Sequence, residues 1–227
     1  NEQKRADVAA ALRDDLAPVV KLTGEDPPAA AYFLNARIQY VRSSSDPSIT
    51  REERTKLLTR AMEDYERAVE SGELRGDDLA NCLTGASTTN VSLANYTVGD
   101  RAKQRDYLEK ARKWAEQATT IDPRPHPEYA YQALGNAEED FGWLLAEYER
   151  YCAAIAAFEA ATIAAENAGL PAAQSLLNTG RCRYKLLSVW TVFDGCGPDR
   201  EEEIRRGISD LQRALDDGHL DDDSRAK

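Results

Sequence analysis

The sequence predicts an all-α fold, an α-α superhelix of about nine helices packed as antiparallel hairpins. Three observations predict it. Apolar residues recur three and four apart, with no runs of period two, and Ala, Leu, Glu, Arg and Lys dominate. Gly and Pro fall between these runs and punctuate them. One ordered pattern of small and large residues returns four times along the chain.

The periodic runs place helices near 2–21, 28–43, 50–71, 77–96, 100–120, 127–146, 148–168, 171–191 and 199–217. Asp26-Pro27-Pro28, Asp46-Pro47-Ser48, Asp122-Pro123 and Gly197-Pro198 mark loop-to-helix starts. Thr50 and Glu53 have the spacing of a capping box, in which hydroxyl and carboxylate each accept from an orphan amide. Gly72, Gly169 and Gly218 follow helical runs, where a left-handed residue ends a helix. The connections are short and no Gly/Ser-rich linker interrupts them, so one continuous domain, 1–227, is expected. Its hairpins are 28–71, 77–120, 127–168 and 171–217, with 1–25 a capping helix or the remnant of a preceding repeat.

The repeated pattern carries most of the information. Leu58, Ala61, Tyr65, Glu66 and Ala68 form the first copy, and Leu108, Ala111, Ala115, Glu116 and Ala118 the second. Tyr151, Ala154, Phe158, Glu159 and Ala161 form the third. Ile204, Gly207, Leu211, Gln212 and Ala214 form the fourth, with Gly in place of Ala at the close-packed point. Spacings of three and four put each set on one helical stripe. Two small residues on a stripe let a partner helix approach closely, while the large residue between them fills the groove. Such a helix must be covered by its neighbours.

On these residues the chain resembles the tetratricopeptide repeat family. Ala111 and Ala118 followed by Asp122-Pro123 match the ending of the family's second helix, and Leu134-Gly135 matches the Leu-Gly pair of its first. Thr179-Gly180 keeps only the Gly, and the stretch from Cys82 to Tyr96 matches poorly. Consecutive copies lie 50, 43 and 53 residues apart, against ~34 in the family. The resemblance spans about residues 28 to 217 and implies a binding surface lined by the first helices of the hairpins. By that implication the partner-binding residues are Asn35 and Gln39 on the first hairpin. On the third they are Tyr129, Gln132, Asn136 and Glu139, and on the fourth Leu177, Arg181, Tyr184 and Lys185. Asn136, Arg181 and Lys185 are compatible with clamping a peptide carboxylate. The competing reading pairs Arg181 and Lys185 with Glu139 or Asp140 of the adjacent hairpin. Trp114, Trp143 and Trp190 fall near apolar stripes and read as packing residues.

Composition narrows the function. The 227 residues carry 40 acidic and 29 basic side chains, a formal charge of −11, which repels phosphate backbones and argues against nucleic acid as a partner. The longest apolar run, Ala153 to Ala165, is broken by Glu159 and is shorter than the ~20 residues of a membrane span, so membrane insertion is not expected. Cys82, Cys152, Cys182 and Cys196 have neither zinc-site spacing nor scaffold density. They read as buried free thiols of a reducing, cytoplasmic compartment. The triplets Asn90-Val-Ser92 and Asn95-Tyr-Thr97 match a glycosylation pattern that often arises by chance.

Catalytic chemistry is not expected. His126 and His219 have no Cys or His at ligand spacing, and Asp221, Asp222 and Asp223 read as a solvated charge run. Gly-rich phosphate loops and the nucleophile elbow are absent from the sequence. Glu138, Glu139 and Asp140 form the densest carboxylate group within a helix and read as surface or pairing charge. No cofactor or metal is expected. The chain begins at Asn1 without a leader and reads as a piece of a longer, bacterial protein, or as a trimmed mature chain. The expected function is a non-enzymatic scaffold that binds a peptide or protein. The alternatives are a carbohydrate-binding helical repeat using Tyr129, Tyr131 and Tyr184, or a regulatory appendage of a catalytic domain such as a Ser/Thr kinase.

Overall fold

The computed structural model describes residues 27–121, 126–190, 199–218 and 220. The expected N-terminal helix, Cys196, His219 and the Asp221–Asp223 run lie outside them, as do the Asp122-Pro123 and Gly197-Pro198 turns. The described residues form eight helices and no strand, packed as neighbouring pairs: an all-α fold with the pairing of a helical repeat. They divide into two compact units, Asn1–Pro123 and Arg124–Lys227, where the absence of a linker suggested one continuous domain.

The first unit holds α1 (Ala29–Ser45), α2 (Arg51–Glu70), α3 (Gly76–Tyr96) and α4 (Arg101–Thr119). Helices α1 and α2 form one hairpin, α3 and α4 another, and α3 packs on α2 between them. The chain reverses between α1 and α2 over five residues, and the start of α2 is fixed by the expected capping box. The Glu53 amide donates to Thr50 Oγ1 at 3.2 Å, and the Thr50 amide to Glu53 Oε2 at 2.9 Å. Antiparallel pairing brings the end of this hairpin back to its beginning. Glu73, beyond α2, accepts from the amide of Ala29 at 3.0 Å, satisfying one of the orphan donors of α1. Gly72 ends α2 in the left-handed region, φ 66°.

The second unit holds α5 (Glu128–Leu145), α6 (Arg150–Asn167), α7 (Ala173–Ser188) and α8 (Arg200–Asp217). It repeats the same order of contacts: α5 on α6, α7 on α8, and α7 on α6. The hairpin-closing device recurs, as Asp217 at the end of α8 accepts from the amide of Ala172 at 3.2 Å. Gly169 (φ 66°) and Gly218 (φ 74°) are left-handed, as the sequence led one to expect.

The four copies of the pattern lie on the second helix of each hairpin. Leu58, Ala61, Tyr65 and Ala68 are buried, as are Leu108, Ala111, Ala115 and Ala118, and Tyr151, Ala154, Phe158 and Ala161. Burying each large side chain removes apolar surface worth ~1.5–3 kcal/mol. Glycines let the large residues in. A Cβ on Gly135 of α5 would lie 2.5 Å from the Phe158 ring, and one on Gly85 of α3 would lie 2.5 Å from the Tyr65 hydroxyl. The fourth copy departs from the others: Gly207 and Ala214 are buried but Ile204 and Leu211 are exposed. Nor does crowding require the Gly at 207, since a Cβ there would meet Arg183 at an ordinary 3.5 Å.

Cysteine usage splits. Cys82 and Cys182 are buried free thiols, as expected. Each donates to a pattern-residue carbonyl on the preceding helix, Tyr65 O and Tyr151 O, at 3.8 Å. Burial pushes the Cys82 thiol up to about 12 and raises that of Cys182 still further. Cys152 corrects the expectation of four free thiols: it is half-buried at the start of α6, away from the sealed core, and is disulfide-bonded. Asn90 is no glycan acceptor in the folded chain, because its buried amide donates to Ala86 O at 3.0 Å and faces Met62 Sδ at 2.9 Å.

Candidate functional site

The residues expected to bind a partner fall into two groups. On α1, Asn35 and Gln39 are not free for a ligand. Their amides donate to Asp64 Oδ2 on α2 at 2.5 and 2.7 Å and so satisfy a buried carboxylate within their own hairpin. Burial raises the Asp64 carboxyl above its usual range, against the opposing pull of these bonds and of Arg67.

In the second unit the nominated residues of α5 and α7 come together. Glu139 of α5 is 3% exposed, and α7 brings two cations to it. Arg181 Nη2 donates to Oε2 at 3.1 Å, while Lys185 Nζ lies 2.8 Å from Oε1. The Lys185 contact is one of charge, since Oε1 accepts no hydrogen bond. The competing reading of these two cations, as partners of Glu139, therefore describes the geometry. Yet both keep solvent-facing surface, with Arg181 side-chain exposure at 46%. The remaining nominated residues lie along the same two helices. Tyr184 is 71% exposed and Tyr129 is exposed, while Gln132, Asn136 and Leu177 are half-buried. The Tyr129 ring stacks on His126 with centroids 5.0 Å apart. His126 Nδ1 lies 3.1 Å from Oε1 of buried Glu128.

Trp143 is the residue that sequence reasoning misplaced. Trp114 and Trp190 are half-buried against core clusters, as expected of packing residues. Trp143 is 65% exposed, and the Lys185 ammonium sits 5.5 Å from its ring centroid. The signal was present in the spacing: Gln132, Asn136, Glu139 and Trp143 are four, three and four residues apart and share one stripe of α5. Trp143 and Tyr184 thus expose their rings beside a cation pair that shares one carboxylate.

Of the remaining carboxylates of the α5 cluster, Glu138 is buried and pairs with Arg150 Nη1 at 3.3 Å. Behind this surface, Arg183 of α7 is 3% exposed and ties three helices together. It bonds Glu203 of α8 at 2.5 Å, Asp210 of α8 at 3.1 Å, and Glu159 of α6. These charge-assisted bonds fix α7 and thereby the rotation of Arg181, Tyr184 and Lys185 toward α5.

Among the described residues no helix is long and apolar enough to cross a membrane, and no group of three or more His, Cys, Asp or Glu side chains is placed to hold a metal ion. No protein-family model matches the chain, and no curated protein is similar to it.

Proposed function

We propose that the chain is a non-enzymatic interaction module of the tetratricopeptide-like type, and that the α5–α7 face of its second unit docks a peptide or protein partner. One observation carries this reading: Trp143 and Tyr184 are exposed beside the Glu139–Arg181–Lys185 group. Large aromatics and Arg are the residues that anchor interfaces, and an exposed ring leaves most of its apolar surface for a partner to cover. A peptide array, with isothermal titration on the peptides it selects, tests the reading. The Trp143→Ala/Tyr184→Ala double variant removes two exposed rings and leaves the core intact. It is expected to bind at least ~tenfold more weakly, a change of about 1.4 kcal/mol. Unchanged affinity, or an array without binders, sinks the idea.

Carbohydrate binding is the second reading, favoured by the exposed rings of Tyr129 and Tyr184; Tyr131 is half-buried. A glycan panel at millimolar concentration separates the two, because a ligand of the native state raises Tm. Service as an appendage of a catalytic domain is compatible with either. The disulfide-bonded Cys152 supports an oxidising compartment in place of the cytoplasm expected from the sequence. Blocking thiols at lysis and denaturing without reductant is expected to label Cys82 and Cys182 but not Cys152.

A further inference from the structure

The second helices share one register, so the same four positions can be followed from helix to helix. On α2 they are Leu58, Met62, Tyr65 and Val69, of which three are buried and Val69 packs against the core under α3. On α6 they are Tyr151, Ile155, Phe158 and Thr162, all buried beneath α7. On α8 they are Ile204, Ile208, Leu211 and Leu215, and all four are exposed, Ile208 at 63% and Leu215 at 55%. The register does not force them to be apolar. On α4, the last helix of the first unit, the second and fourth of these positions are Arg112 and Thr119. Helix α8 thus presents to water the stripe that α2 and α6 cover with another helix of the chain.

The charges beside the stripe indicate its occupant. Arg205 and Asp216 are eleven residues apart, three helical turns, and lie on the same edge of the stripe. When two copies of α8 pack antiparallel about an axis between Ile208 and Leu211, each edge faces its own counterpart. Ile204 then lies over the partner's Leu215, Ile208 over the partner's Leu211, and Arg205 beside the partner's Asp216, each contact made twice. The nearby ion pair of Arg205 with Glu201 is exposed and loosely held at 3.3 Å, so Arg205 can reorient.

We propose that the outer face of α8 is a self-association surface, on which a second copy of this chain packs its own α8 antiparallel. The inference does not depend on the docking face of α5 and α7. A single helix stripe buries less than the ~1,200 Å² of stable complexes, so the dimer is weak and reversible.

Sedimentation of the full chain from ~10 μM to ~1 mM tests it, the range in which contacts of this size exchange. The weight-average mass is expected to climb from one chain toward two. Ile208→Glu/Leu215→Glu changes only exposed side chains and is expected to hold the mass at one chain. Arg205→Asp and Asp216→Arg each weaken association by roughly threefold or more, as surface pairs do, and the two together restore it. That rescue reports the antiparallel register and is not expected of a general change in stability. A mass fixed at one chain across the series overturns the proposal and leaves the stripe to a helix of a different chain. Association that survives the double Glu variant, or charge swaps that fail to compensate, overturns it as well.

Discussion

In the first unit the polar side chains of α1 turn back onto their own hairpin, where the Asn35 and Gln39 amides satisfy the single carboxylate of Asp64. In the second unit those of α7 reach three other helices. Arg181 and Lys185 extend to Glu139 of α5, and Arg183 to Glu159, Glu203 and Asp210. The helical pairing is the same, but the polar bonds differ in kind. Neutral amides close a hairpin with short side chains and leave little at the surface. Long cationic side chains bridge hairpins and carry their charge to the rim, where Trp143 and Tyr184 stand exposed. This is why the candidate surface lies in the second unit although the pattern runs through both.

The largest effect expected from this contrast is at Arg183. Arg183→Ala leaves Glu203 buried without a counter-charge and is expected to cost about 3–5 kcal/mol. Asp64→Ala strands only neutral amides that reach water, and about 1–3 kcal/mol is expected. Denaturant unfolding of both variants compares the units directly, and equal losses break the contrast.

Packing gives the next test. Gly135→Ala drives a Cβ into the fully buried Phe158 ring and is expected to cost about 1–3 kcal/mol. Gly180→Ala meets Leu211 Cγ at 2.6 Å and the Gly207 backbone carbonyl at 3.2 Å, so α7 and α8 must part. A loss of similar size, about 1–3 kcal/mol, is expected there, read from the same unfolding curves.

A modest gain is expected in the turn between α5 and α6. Ala146 sits in the left-handed region at φ 60°, the one such residue other than Gly among those described. Ala146→Gly relieves that strain and is expected to raise stability by about 0.5–1 kcal/mol after the added freedom of the unfolded chain is offset.

The smallest effect is one of slope. With the Asp64 carboxyl raised by burial, the folded state holds more protons than the unfolded chain between the ordinary and the native value. Stability therefore falls as pH rises through that window from about 4 upward. Asp64→Asn keeps an acceptor for Asn35 and Gln39, and Tm measured against pH is expected to lose that slope.

Much of the fold was legible in the sequence because its determinants are local. The Thr50–Glu53 box, the left-handed glycines and the Ala–large–Ala stripes act within a turn or between adjacent helices. The division into two units was not read from the sequence, because no Gly/Ser-rich linker marks it; the signal at the boundary is instead a run of prolines, Pro123, Pro125 and Pro127. At the site, Glu139, Arg181 and Lys185 were nominated by the resemblance, and the competing reading already paired the two cations with Glu139 or Asp140. Asn35 and Gln39 read the same way but are occupied by Asp64, a partner 25 and 29 residues distant that no spacing reveals. Trp143 read as a packing residue because it falls near an apolar stripe of its helix; its spacing from Gln132, Asn136 and Glu139 pointed the other way. The disulfide at Cys152 has no mark in the spacing of the cysteines.

Docking of a partner on the α5–α7 face, as proposed, has a direct physical consequence: a partner must lie within reach of Tyr184. Photo-crosslinking reads it most directly, with benzoylphenylalanine in place of exposed Tyr184 on α7 or, as control, exposed Ile163 on α6. With a peptide selected on the array, crosslinking from position 184 and none from position 163 is the result the account predicts. Crosslinking from 163 with none from 184 contradicts it.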